Sequence, residues 1–158
     1  MAARPPLTAA GLWFLRIVPA AIFLYAGVAK IFNPAQLADD ILGYEILPYA
    51  PAVAAALYLP WLEIAAACAL FHRRLRLGAL VVLSGLSLAF LLALISVQAR
   101  GIELIACGCF GGNKPPPQPP NVPLHIAGDS VLFFLLVILL AIETCSVARN
   151  NVAAQQPH

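Results

Sequence analysis

The sequence predicts an all-α, polytopic membrane protein: a four-transmembrane-helix bundle with a short amphipathic helix and a Cys-Gly-Cys, proline-rich segment on its outer side. Three observations carry that prediction. The 158 residues are 62% hydrophobic and 10% charged, and the mean hydropathy is +0.90, far above that of a soluble domain. Four stretches, about 12–32, 51–71, 76–98 and 126–147, each supply the roughly 20 apolar residues that cross about 30 Å of hydrocarbon. The segments between them are too short for a second core, and no internal repeat is present, so residues 1–158 read as a single membrane domain.

Charge placement gives the expected orientation. The net charge of +2 gathers into no basic stripe, which argues against a nucleic-acid partner and leaves the lipid membrane as the first one. Arg73, Arg74 and Arg76 share one tight turn, "HRRLR", whereas loop 33–50 carries Asp39, Asp40 and Glu45. The positive-inside rule puts that turn and both termini in the cytoplasm, with Arg4 and Arg149 agreeing. Loops 33–50 and 99–125 then face the periplasm of a bacterial inner membrane. Arg16 interrupts the first apolar run, so the N-terminus reads as a retained span rather than a cleaved signal peptide.

The first span, "GLWFLRIVPAAIFLYAGVAKIF", spaces Arg16, Phe23 and Lys30 by seven, which places them on one helix face with Gly27 nearby. Charges at such depth turn toward a bundle interior, or else snorkel to the two surfaces. Residues 33–50 follow, with Leu37, Ile41, Tyr44 and Pro48 at helical spacing, the pattern of a short amphipathic periplasmic helix. The second span carries "LPWLE". Pro60 withholds a donor from the carbonyl of Ala56 and kinks the helix, and Glu63 lies within one turn of it. At that depth Glu63 is either a structural partner of Arg16 or a proton or ligand site. The third span offers Gly78, Gly85 and Ala89 for close helix approach. The fourth opens with "AGDSVLFF", in which Asp129 or Ser130 can cap the helix. Only the second span is read as broken by an internal proline at mid-depth, which weighs against a transporter of repeated, broken halves.

The four cysteines fall into two groups. Cys68 and Cys145 lie near cytoplasmic span ends and read as small core residues. Cys107 and Cys109, in "ACGCFGGNKPPPQPP", lie on the oxidising side, and Gly108 permits the bend that would close a tight, exchange-active disulfide between them. They are the candidate catalytic residues. Lys30, His125 and Asp129, at the same outer end, are candidates to support them: a cation favours the thiolate, and His125 is either a proton acceptor or an interfacial side chain. The five prolines at 115–117, 119 and 120 form an extended spacer or docking surface. Two soft thiolates also suit Cu(I), but too few further ligands exist to close a site, and no metal is assigned.

In this order, "LYAGVAKIFNP", Ile41 to Pro48, "LPWLE" and "CGCFG" resemble the MauE branch of the DoxX-like integral membrane proteins, with the likeness covering about residues 12–140. The matching positions are Lys30, Pro60, Glu63, Cys107 and Cys109. "LHIAGDS", before the fourth span, departs from the pattern by lacking a basic residue. The resemblance implies thiol and disulfide handling outside the membrane with a thioredoxin-like periplasmic partner. For methylamine-utilisation members it implies maturation of an exported, disulfide-rich client, the small subunit of methylamine dehydrogenase. Related DoxX-like proteins take part in quinone-linked sulfur oxidation, which makes a quinone the candidate cofactor. Tyr25, Trp61, Glu63 and Arg16 are its candidate pocket. The competing function is a non-catalytic assembly factor or carrier whose cysteine pair is a structural clip.

Overall fold

The computed structural model describes residues 9–101 and 122–154, and every element among these is a helix. α1 spans Ala9–Phe32, α2 Pro34–Gly43, α3 Tyr49–Ala69, α4 Arg76–Arg100 and α5 Val122–Ala154. α1, α3, α4 and α5 are long and apolar enough to cross a membrane. They close into a ring: α1 packs on α3, α3 on α4, α4 on α5 and α5 back on α1, with the α1–α3 and α4–α5 contacts the more extensive. Consecutive spans alternate in direction, so every neighbour in the ring is antiparallel. One end of the bundle therefore gathers Lys30, α2 and the adjoining ends of α4 and α5, and the opposite end gathers Arg16, Arg76 and Glu143.

Prolines and glycine set most boundaries. Pro34 occupies the first turn of α2, Pro48 precedes α3, and Pro51 and Pro123 lie in first turns, where the missing N–H has no intrahelical acceptor to serve. Gly101 ends α4 in the left-handed conformation at φ 67°, open to glycine without a Cβ penalty. Pro60 is internal to α3, as read from the sequence, but Pro19 is also internal to α1, so two of the four spans carry an internal proline rather than one.

The inward face of α3 is narrow and built mostly from small residues, whereas that of α4 is mostly leucine. On α3, Ala52, Ala56, Pro60, Glu63 and Ala67 recur every three or four positions and are buried, and Leu70, which caps the helix, continues the row. On α4, Leu80, Leu83, Ser87, Leu94 and Val97 form the matching seam. Small residues let helix backbones approach, which in lipid replaces the hydrophobic driving force. Gly78, Gly85 and Ala89, expected at a helix contact, are instead exposed on the outward side of α4, and nothing lies within 4 Å of a Cβ built at either glycine. Small residues alone do not select a face; the buried Ser84 and Ser87 show which side of α4 turns inward. Cys68 and Cys145 are likewise exposed rather than in the core.

α2 behaves as its periodicity predicts. Leu37, Ala38 and Ile41 pack on Ala52 and Ala56 of α3, and Tyr44 is buried at its end, although Pro48 stays exposed. The Arg100 guanidinium donates to the Tyr44 carbonyl, tying the end of α2 to the end of α4. Burial, and then the neighbouring charge of Asp39, push the Asp40 carboxyl up to about 6.

Candidate functional site

Gly27 is the contact point from which the site is built. A Cβ there would lie 2.8 Å from Ile64 Cγ1 and 3.0 Å from the Pro60 carbonyl oxygen, so only glycine lets α1 come this close to α3. One turn further along each helix stand Lys30 and Glu63. Helical side chains tilt toward their own N-terminus, and in an antiparallel pair the two tilts converge. Lys30 Nζ donates to Glu63 Oε1 at 2.6 Å, and the side chains are only 2% and 1% exposed. The same tilt explains why Lys30 does not snorkel: its stem points back into the bundle. Its ammonium also lies 4.5 Å from the centre of the Phe90 ring on α4, a cation–π contact that desolvation strengthens.

Beside this pair is a cavity of about 280 Å³ whose wall is mostly apolar, with Phe23, Phe90, Leu124 and Leu132 among its members. Its polar groups are Lys30, Glu63, His125 and Asp129. That volume is near the lower limit for small-molecule sites, and apolar walls with a few convergent polar groups are their usual composition. Ser87 Oγ donates to Asp129 Oδ1 at 3.0 Å, while Asp129 Oδ2 and Glu63 Oε2 are buried without a hydrogen-bond partner among the described residues. The charge of Lys30 reaches both carboxyls. The arrangement can hold or move a proton and can bind a small group through hydrogen bonds.

Asp129 reaches this site because α5 starts at Val122, four residues before the expected 126. Neither Asp129 nor Ser130 therefore caps the helix; Ser130 Oγ donates back to the Ile126 carbonyl at 2.6 Å. Lys30, His125 and Asp129, grouped from the sequence as support for the cysteines, do come together, and Glu63 joins them.

The grouping of Glu63 with Arg16, Tyr25 and Trp61 is not assembled. Tyr25 and Trp61 are 66% and 63% exposed on the outer face of the bundle and do not line the cavity. Arg16 pairs with Glu143 of α5 rather than with Glu63. Arg16 tilts toward the start of α1 and Glu63 toward the start of α3, so the two diverge and a depth count misleads. Glu143 also accepts from Arg76 Nη1 at 3.3 Å, and Arg76 Nε donates to the Leu70 carbonyl at the end of α3. One polar cluster thus ties all four spans together at the Arg16 end. Ser87, Phe90 and Glu143 were not singled out in the sequence; an intramembrane carboxyl without an assigned cation was the available signal for Glu143. Cys107, Cys109 and the proline tract lie outside the described residues.

The family model for the methylamine utilisation protein MauE matches residues 8–142. The methylamine utilization protein MauE of Paracoccus denitrificans is 35% identical over 106 residues, which make up 66% of this chain and 57% of that protein. The chain thus spans little more than half the length of that relative. No solved structure matches the chain. The family match extends from before the first span into the fourth and brackets the segment that carries Cys107 and Cys109, and the chain belongs to the MauE family of methylamine utilisation proteins.

Proposed function

We propose that this chain is a membrane-embedded thiol–disulfide redox protein of methylamine utilisation. Cys107 and Cys109 exchange electrons with a thioredoxin-like periplasmic partner and so support disulfide formation in an exported client such as methylamine dehydrogenase. The observation that carries the reading is the position of the cavity. The cysteine-bearing segment leaves α4 at Gly101 and rejoins α5 at Val122, and His125, one turn into α5, lines the same cavity as Lys30, Glu63 and Asp129. The attachment to α5 therefore lies within one turn of a cavity wall whose groups can accept or donate a proton.

The exchange is one two-electron transfer. A thiolate attacks a disulfide sulfur, the leaving sulfur departs as thiolate, and a second thiolate resolves the mixed disulfide, so one dithiol is oxidised as one disulfide is reduced. Its proton requirement is what the neighbouring acid and base groups would serve. A quinone headgroup fits this donor set better than the outward-facing Tyr25 and Trp61: Lys30 is placed to donate to a carbonyl oxygen between apolar walls, and a bound quinone would supply a two-electron acceptor.

The test is Cys107→Ser with Cys109→Ser. The double variant is expected to remain inserted and folded but to leave the client's cysteines reduced, read by alkylation and gel shift. Each single variant is expected to trap a mixed disulfide with a thioredoxin-like protein. Full client oxidation in the double variant would overturn the proposal and favour the structural clip.

A further inference from the structure

The charges of this chain are divided unevenly between its two ends. Of the acidic residues, Glu143 is the one that belongs to the Arg16 end: Asp39, Asp40 and Glu45 lie on α2 or just after it, Glu63 and Asp129 line the cavity at the Lys30 end, and Glu103 falls in the connection from α4 to α5 at that same end. Arg4, Arg16, Arg73, Arg74, Arg76 and Arg149 all belong to the Arg16 end, and the sequence before α1 and after α5 holds no acidic side chain. Glu143 is already shared by Arg16 and Arg76. Arg73 and Arg74, in the turn between α3 and α4, stand exposed, and no further acidic side chain at this end offsets them.

An apolar groove of about 190 Å³ runs along the lipid-facing surface between α1 and α3 toward that turn. Ala21 and Leu24 of α1 and Ala67 and Cys68 of α3 line it, and Phe71 stands at its end. Small side chains on both helices leave the groove open. The interval from Ile17 to Leu24 covers about 10 Å along the helix axis, part of the length of one acyl chain. Phe71 stacks on Trp13 with ring centres 6.3 Å apart, and both rings are about half-exposed. Aromatic side chains at a span end sit at the level of the headgroups. The residues that follow Phe71 in the chain are His72, Arg73 and Arg74. Apolar groove, aromatic step and exposed cations thus succeed one another in the order of the acyl chain, glycerol and phosphate of a phospholipid.

We propose that this groove and turn form a binding site for one anionic phospholipid, with an acyl chain lying between α1 and α3 and the phosphate held by Arg73 and Arg74. A zwitterionic lipid fills the groove equally well but brings a positive charge back to the arginines, so charge rather than apolar contact makes the selection. The site does not involve the cysteines and stands apart from the redox reading.

The chain carries its own probes. Trp13 and Trp61 are its two tryptophans and both face lipid, but Trp61 does not line this groove. The full chain is placed in phosphatidylcholine vesicles that contain either brominated phosphatidylglycerol or the same fraction of brominated phosphatidylcholine, and quenching of tryptophan fluorescence is read. In Trp61→Phe, which leaves Trp13, the anionic lipid is expected to bind about fivefold more strongly, the gain that one arginine brings near an anionic lipid. Adding Arg73→Gln and Arg74→Gln is expected to lower that ratio by about threefold or more, whereas Arg73→Lys with Arg74→Lys retains it. Trp13→Phe, which leaves Trp61, is expected to show no preference. Equal quenching of Trp13 by the two lipids, including exclusion of both by residues 1–8 or by a second copy of the chain, overturns the proposal. A preference that survives the loss of both arginines, or that is as large at Trp61, overturns it too.

Discussion

Replacing Lys30 by methionine keeps the apolar stem and removes only the charge, which isolates what the ammonium does for Glu63. Both oxygens of Glu63 are then left in a site that is 1% exposed. Two outcomes compete. An ionised carboxylate stranded this way costs about 3–5 kcal/mol. Protonating a carboxyl of ordinary pKa about 4.3 at pH 7 costs roughly 2.7 units at 1.36 kcal/mol each, or about 3.7 kcal/mol. The cheaper outcome governs, so the expected loss is about 3–4 kcal/mol at pH 7. Because the folded variant binds a proton that the unfolded chain releases, stability rises as pH falls, and the loss shrinks to roughly 1 kcal/mol at pH 5. In a Glu63→Gln, Asp129→Asn background, which removes both carboxyls that the charge of Lys30 reaches, no carboxylate is stranded at this site and the same Lys30→Met change is expected to cost little. Equilibrium unfolding in mixed micelles, run as a double-mutant cycle at pH 5, 6 and 7, reads the coupling directly. A coupling below about 1 kcal/mol at pH 7, or a Lys30→Met cost that does not change with pH, would refute the account of Lys30 as the neutralising partner of Glu63.

Two further outcomes follow from the packing and from α2. Gly27→Ala forces a Cβ to within 2.8 Å of Ile64 Cγ1 and 3.0 Å of the Pro60 carbonyl oxygen, and the backbone oxygen cannot swing away. A loss of about 1–3 kcal/mol is expected in the same unfolding assay, together with a weakened Lys30–Glu63 coupling; a change within about 0.5 kcal/mol would show that α1 does not need this approach. Asp40 holds its proton up to about pH 6, against an ordinary value of 3.8. Between those values the folded chain binds more protons than the unfolded one, so this group makes the protein more stable as pH drops through that window. The difference in melting temperature between wild type and Asp40→Asn is expected to change across that window and to be flat above pH 7; a difference that stays constant throughout contradicts the burial assigned to Asp40.

Several features were legible in the sequence because they depend on composition and period alone. Four apolar lengths named the four spans, and the spacing of Leu37, Ile41 and Tyr44 named the buried side of α2. The heptad of Arg16, Phe23 and Lys30 named the inward face of α1: Phe23 and Lys30 are buried, and Arg16 is largely covered by its ion pair with Glu143. Where α5 begins was less legible, since Pro123 sits in its first turn and reads equally well as the end of a loop.

The number of membrane-crossing helices and the charges they carry at depth follow from the residues alone, because the length and polarity of a segment suffice to decide whether hydrocarbon accepts it. The pairing of those charges follows from how the helices pack. Lys30 meets Glu63 and Arg16 meets Glu143 because side chains lean toward helix N-termini and the ring order sets which antiparallel neighbour each one faces. The outward placement of Tyr25 and Trp61 has the same origin: in lipid an aromatic ring is equally at home on either face, and packing against Gly27 and the small residues of α3 settled which face turned in.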